Sequence, residues 1–200
     1  MNCPCFVIHR QKDVEREDIV KELEKEFPTL LRMEAIDGNG VDCFPRMSVD
    51  GLSFVTDGVV GCMLSHLMLI QKALRSHWSH ICIFEDDAVI QGDYKAFYES
   101  HKDCDILYFG VLHVLEGDKK VDCWQVRDSW GTHAVVLNRT AMKAIQETFY
   151  KVLDEGFFYG SDNLYSRAIT DFGLVAYAPH QPLIDQKKGL QSTLSDSVRT

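Results

Sequence analysis

The chain has 200 residues, 46% of them apolar, enough for one real hydrophobic core, so a single domain spanning 1–200 is the default. A formal net charge of −9 with no basic stripe excludes a nucleic-acid groove, and no run approaches the ~20 apolar residues of a membrane span. Seven cysteines, odd in number and without a regular framework, favour a reducing, cytoplasmic setting.

The N-terminus enters a strand directly, without the basic region and long apolar segment of a signal peptide. Cys5-Phe6-Val7-Ile8 reads as a buried strand. Cys3-Pro4-Cys5 hints at metal or redox chemistry, but no second close pair completes a zinc site. A charged helix is predicted from Val14 to Phe27, with Ile19, Val20, Leu23 and Phe27 inward, ended by Pro28. Leu30 to Ile36 reads as a second strand closed by the turn Asp37-Gly38-Asn39-Gly40, which implies a parallel pair with a right-handed crossover. Residues 41–57 lack periodicity and read as a long loop, usually a functional feature in compact domains.

Asp57 is expected to cap a helix from Val59 to His77 that is apolar around most of its circumference and therefore buried. Gly61, Cys62 and Ser65 at its start suit either tight packing against a sheet or an anion at free N–H groups. Cys62 and Cys82 look like small core residues.

Ile81-Cys82-Ile83-Phe84 is a run fit for a strand buried on both faces, and Glu85-Asp86-Asp87 follows it without a spacer. Three adjacent acids at the end of a buried strand are costly unless compensated. A hard divalent cation at the strand's C-terminal edge would compensate them; a solvated acidic turn is the plainer alternative.

A short helix is predicted from Asp93 to Lys102, a strand from Asp105 to Val111 with Gly110 permitting close approach, and a polar loop or hairpin from 113 to 130. Gly131 to Leu137 is strand-like and Arg139 to Leu153 an amphipathic helix. Asn138-Arg139-Thr140 matches a glycosylation sequon, but its place at a helix start favours capping. Another helix starts at Gly160-Ser161-Asp162 and runs to Ile169, with Ser161 or Asp162 as its cap. Leu174 to Ala178 is a last strand, broken by Pro179. The polar tail from His180 carries no strand or helix pattern, and 186–200 could be mobile.

Three stretches, Asp57-Gly-Val-Val-Gly-Cys-Met-Leu-Ser-His66, Ile83-Phe-Glu-Asp-Asp87 and Asp105-Ile-Leu-Tyr-Phe-Gly110, resemble glycosyltransferase family 25 in order and spacing. That group includes lipopolysaccharide and collagen galactosyltransferases. Val7-Ile8-His9-Arg10 with Arg16, Glu34-Ala35-Ile36-Asp37-Gly38, Gly131 to Leu137, and Asp162 extend the resemblance over nearly the whole chain.

The resemblance implies an α/β fold of GT-A (Rossmann-like) type, a mostly parallel sheet flanked by helices. It implies an inverting transfer of a hexose, galactose or glucose, from a UDP-sugar to a hydroxyl of a glycan or hydroxylated protein, with Mn²⁺ or Mg²⁺ as cofactor. Asp87 is then the principal metal ligand, Glu85 a direct or water-bridged one, and His180 a candidate to complete the shell. Asp86 contacts the donor, together with Ile8, His9, Arg10, Arg16, Ala35, Asp37, Gly61, Ser65 and His66. Arg16 could instead be a solvated helix residue, and His66 simply packed. An inverting transfer also needs a base, and Asp162 is the candidate. Gln186, Lys187 and Lys188 could close over the diphosphate or be solvated.

A catalytically silent nucleotide-sugar-binding or interaction module is the alternative. A metal phosphoesterase using the acidic triplet is a third reading, but the chain lacks the further His and Asp motifs that a two-metal centre would need.

Overall fold

The computed structural model describes residues 1, 3–39, 41, 48–49, 52–53, 56–155 and 160–190. In chain order these form β1 (Cys5–His9), a 3-10 turn (Val14–Arg16), α1 (Glu17–Glu26), β2 (Leu31–Glu34), the short ladder β3 (Ser48–Val49) and β4 (Leu52–Ser53), and α2 (Asp57–Arg75). Next come β5 (His80–Glu85), β6 (Ala88–Ile90), α3 (Tyr94–His101), β7 (Ile106–Tyr108), β8 (His113–Lys119), β9 (Cys123–Trp130) and β10 (Ala134–Asn138). The chain continues through α4 (Arg139–Glu155), α5 (Ser161–Phe172), β11 (Ala176–Pro179) and β12 (Ile184–Gln186).

One eight-stranded sheet runs β2-β1-β5-β10-β7-β11-β9-β8. The alternation of side chains along a strand divides its core in two. Phe6, Ile8, Ile81, Ile83, Ile106 and Tyr108 face α2, α4 and α5, packing on residues such as Met63, Ile145 and Tyr165. Cys5, Val7, Cys82, Phe84 and Leu107 face the other way, onto Val20 and Leu23 of α1 and Tyr94 of α3. Both faces are covered, so β1 and β5 read as unbroken apolar runs rather than alternating ones. The GT-A-type sheet flanked by helices is met.

β1 is parallel to β2 and β5. β10 inserts antiparallel between β5 and β7, pairing Ala134 with Phe84 and Val135 with Tyr108, so the sheet is parallel on one side and mixed on the other. Strand direction leaves no mark in an apolar run, which is why the sequence is silent on it. Asn138 caps α4, its Oδ1 accepting from Ala141 N at 2.8 Å.

Several expectations are corrected. Thr56, not Asp57, caps α2: its backbone is extended and its side chain accepts from Val59 N. The long loop contains β3 and β4, while 42–47, 50–51 and 54–55 lie outside the described residues. Stretch 113–130 is a hairpin, β8 on β9. Pro179 closes β11 opposite Cys123 instead of breaking it, because a strand's last residue can forgo its N–H. The polar tail forms β12, antiparallel to β6, which holds 184–186 in place; its last stretch, 191–200, lies outside the described residues. β12 is anchored by contacts distant in sequence: Leu183 N donates to Phe109 O (2.8 Å), and Gly110 is needed there because a Cβ would meet Ile184 O at 2.1 Å.

Candidate functional site

The site forms where β1, β2 and β5 end together. The three acids that close β5 meet three different surroundings. Asp86 is buried, and its carboxylate is gripped from both sides: Oδ1 accepts a short hydrogen bond from the Arg16 guanidinium, and Oδ2 accepts from His9 Nδ1 at 2.9 Å. Arg16 reaches this point because the chain after β1 folds into a 3-10 turn before α1, pointing the side chain back under the strand ends. Arg16 is only 3% exposed, so it is not a solvated helix residue. Burial pulls its guanidinium down, but the adjacent Asp86 and Asp87 outweigh that and hold it above its ordinary value.

Asp87 is 1% exposed, with Oδ2 3.6 Å from Arg16 Nη1, and its backbone carbonyl accepts from Lys187 N at 2.8 Å. Thus Lys187, one of the tail residues that could close over a diphosphate, is tied to the acidic turn through its backbone.

Glu85 points instead toward α2 and α5. Its Oε1 accepts from Thr132 Oγ1 at 3.1 Å and lies 3.5 Å from His66 Nε2 and 3.9 Å from Cys62 Sγ. Ser161 Oγ joins Thr132 Oγ1 at 2.9 Å, and His66 Nδ1 meets Tyr165 OH at 2.9 Å. His66 is therefore both packed and in contact with an acid of the site. The donor atoms of Cys62, His66 and Glu85 lie within 4.8 Å of one another.

Asp162 stands in the first turn of α5. Neither it nor Ser161 caps the helix; Gly160 holds that position without a side-chain bond. Asp162 Oδ1 accepts instead from Asn163 N at 2.9 Å. Burial pushes its carboxyl above the ordinary range, the N–H groups of Asn163 and Gly131 pull it back, and the charge of Glu85 raises it further. Burial also raises the Cys62 thiol, and Glu85, Asp162 and Asp87 all push it the same way. Cys62 is thus no inert core residue: it lines a cavity and stands 3.9 Å from Glu85.

A cavity of about 260 Å³ opens beside these groups. Ile8, Arg10, Arg16, Ala35, Asp37, Glu85, Asp86 and Cys62 are among its lining residues. At its rim Lys12 Nζ contacts Asp37 at 2.5 Å, and Arg10 holds Asp13 through two hydrogen bonds of 2.7 and 3.0 Å. His9 stands behind the wall, on Asp86. Gly61 and Ser65 do not line the cavity. A Cβ on Gly61 would meet Ile36 O at 2.4 Å, and Ser65 Oγ accepts from Ile36 N at 2.8 Å while donating to Gly61 O at 2.7 Å. These two residues lock α2 against the exit of β2, the tight-packing alternative.

His180 is not brought to the acids. It follows β11, three strands from β5, with its ring edge-on to Trp124 and Nε2 3.2 Å from Lys120 O. Thr132, Ser161 and Tyr165 are site residues that the sequence reading misses. Only Thr132 carries a signal there, as part of the Gly131 to Leu137 stretch.

No curated protein sequence matches the chain. Among solved structures it is similar to a glycosyltransferase involved in the glycosylation of the major capsid of PBCV-1 (11% identity, TM-score 0.49, 90% of this chain and 82% of that one). It is similar also to mannose-1-phosphate geranyltransferase from Thermus thermophilus (12%, 0.46, 94% and 76%) and to A197 from STIV (14%, 0.47, 89% and 81%). Likenesses this distant carry no functional weight. The sequence model of glycosyltransferase family 25 (LPS biosynthesis protein) matches residues 4–116, more than half of the chain, and takes in β1, the start of α2 and the Glu85-Asp86-Asp87 turn. The chain belongs to glycosyltransferase family 25.

Proposed function

We propose that this glycosyltransferase is an inverting enzyme that moves a hexose from a UDP-sugar onto a hydroxyl of a glycan or protein, with a divalent cation. The observation that carries the proposal is the acidic end of β5: Glu85 and Asp86 line the cavity between the ends of β1, β2 and β5, and the buried Asp87 follows them directly. Of these acids, Asp86 is matched by Arg16, which also approaches Asp87 at 3.6 Å, and Glu85 lies beside the imidazole of His66. That concentration of negative charge fits a hard cation, and carboxylate oxygens are the donors Mn²⁺ or Mg²⁺ favours.

Glu85 and Asp87 are the residues that would hold it. The chemistry it supplies when bound is neutralisation of the charge on the departing diphosphate. Ile8, Ala35 and Asp37 would border the nucleoside, and Arg10 and Lys12 supply positive charge at the rim. In the transfer, the acceptor hydroxyl oxygen bonds to the anomeric carbon while the bond from that carbon to the diphosphate oxygen breaks. The hydroxyl proton passes to Asp162, whose buried surroundings raise its basicity.

The test is release of UDP from UDP-galactose and UDP-glucose with and without Mn²⁺. Mn²⁺-dependent release supports the transferase; binding of either sugar nucleotide without release would favour the silent module instead. Replacing Asp162 by Asn should lower turnover by roughly 10²–10⁴-fold. Unchanged kinetics would remove it as the base.

A further inference from the structure

Far from this cavity, His101 at the last turn of α3 meets Asp122 and Cys123 at the start of β9, and their donor atoms lie within 4.8 Å of one another. The geometry points to a second metal site here, for a borderline divalent ion of the zinc class, that staples α3 to the β8–β9 turn. It is independent of the transferase reading.

Three features carry it. The His101 side chain is only 9% exposed, held between the rings of Phe97 (4.4 Å) and Tyr177 (5.3 Å), so its direction is fixed. Its Nδ1–H donates to Phe97 O at 3.0 Å, the arrangement that leaves Nε2 as the lone-pair atom of a ligating imidazole. That Nε2 lies 3.5 Å from Asp122 Oδ2. The separation is long for a charge-assisted hydrogen bond, at ~2.8 Å, but close to the ~3.4 Å nitrogen–oxygen edge of a tetrahedral zinc site built from ordinary bond lengths.

Cys123 supplies a sulfur at the third corner, and the main chain there is fixed by Lys120 N donating to Cys123 O at 2.8 Å. Burial and the neighbouring Asp122 raise the thiol to about 11, so binding would expel its proton to solvent. Asp122 is 65% exposed, which leaves the fourth corner to water.

The test uses the full chain, stripped of metal and titrated with Co²⁺, read by the sulfur-to-cobalt charge-transfer band. The wild type should develop the band, Cys123→Ser should lose it, and Asp122→Asn and His101→Gln should each weaken Co²⁺ binding by about tenfold or more. Asp122 is exposed, so its variant folds regardless of the outcome at the buried cysteine. Absence of the band in the wild type overturns the inference, as does a band that survives Cys123→Ser and disappears in Cys62→Ser. Unweakened binding in both Asp122→Asn and His101→Gln overturns it too, since sulfur alone would then be the ligand.

Discussion

Arg16 and Arg32 each hold two carboxylates, and they do so in opposite surroundings. Arg16 is 3% exposed and sits against Asp86 and Asp87; Arg32 is 38% exposed and clasps Glu17 (2.8 and 3.0 Å) and Glu24 (2.6 and 2.9 Å). By distance alone Arg32 has the better-formed network. The two are even joined, since His9 touches Asp86 with Nδ1 and approaches Glu17 at 3.5 Å with Nε2. What separates them is water. Around Arg32, solvent competes for every charge, whereas around Arg16 the loss of the cation would strand two acids where little water reaches. Inventories of ion pairs say little until burial is added.

Arg16→Ala is the sharpest way to break the comparison. It should cost about 3–5 kcal/mol of stability, read from urea unfolding, because Asp86 would be left buried without its cation. A loss no larger than that of an exposed arginine would mean the burial argument is wrong. Asp87→Ala asks whether the acids beside Arg16 serve folding or chemistry. Turnover dependent on metal should fall by about 10²–10³-fold while stability stays within roughly 1 kcal/mol, because one like charge leaves a crowded turn. A fully active Asp87→Ala enzyme would remove that residue as a ligand.

Arg32→Ala should have the smallest effect, a minor shift in the unfolding midpoint that shrinks further with added salt. Hydrogen bonds from Arg32 hold the Glu17 and Glu24 carboxyls below their ordinary value of 4.5. A depressed folded value means the stabilisation is present above pH 4.5 and lost as pH falls through the lower, folded value. Wild type and variant should therefore converge in acid, and unfolding midpoints measured across that range check it.

Much of the frame was legible because both faces of the sheet are covered. The runs at β1 and β5 are too apolar to lie anywhere else, and the acids closing β5 stand out against them. Partnerships across long separations were not legible. Nothing near Arg16 says that its partner is 70 residues away, and the plainer reading of it as solvated was reasonable on composition. Small residues at the start of α2 were compatible with ligand or packing; Gly61 and Ser65 serve packing, whereas Cys62, between them in the same turns, stands beside Glu85. His180 shows the reverse error, a residue type suited to a metal shell that the order of strands carries away from it. β12 escaped notice because its short ladder is set by contacts with Phe109, Ala88 and Asp87 rather than by any pattern of its own.

The strap formed by 183–187 bears on how the protein could be divided. A piece trimmed to the family-matched stretch, 4–116, would retain Glu85, Asp86 and Asp87 yet lack Asp162, β10, the wedge that separates β5 from β7, and the backbone N–H that steadies Asp87. Such a fragment should expose two raw strand edges and clump rather than fold. The region by which kinship is detected is thus smaller than the unit able to stand alone.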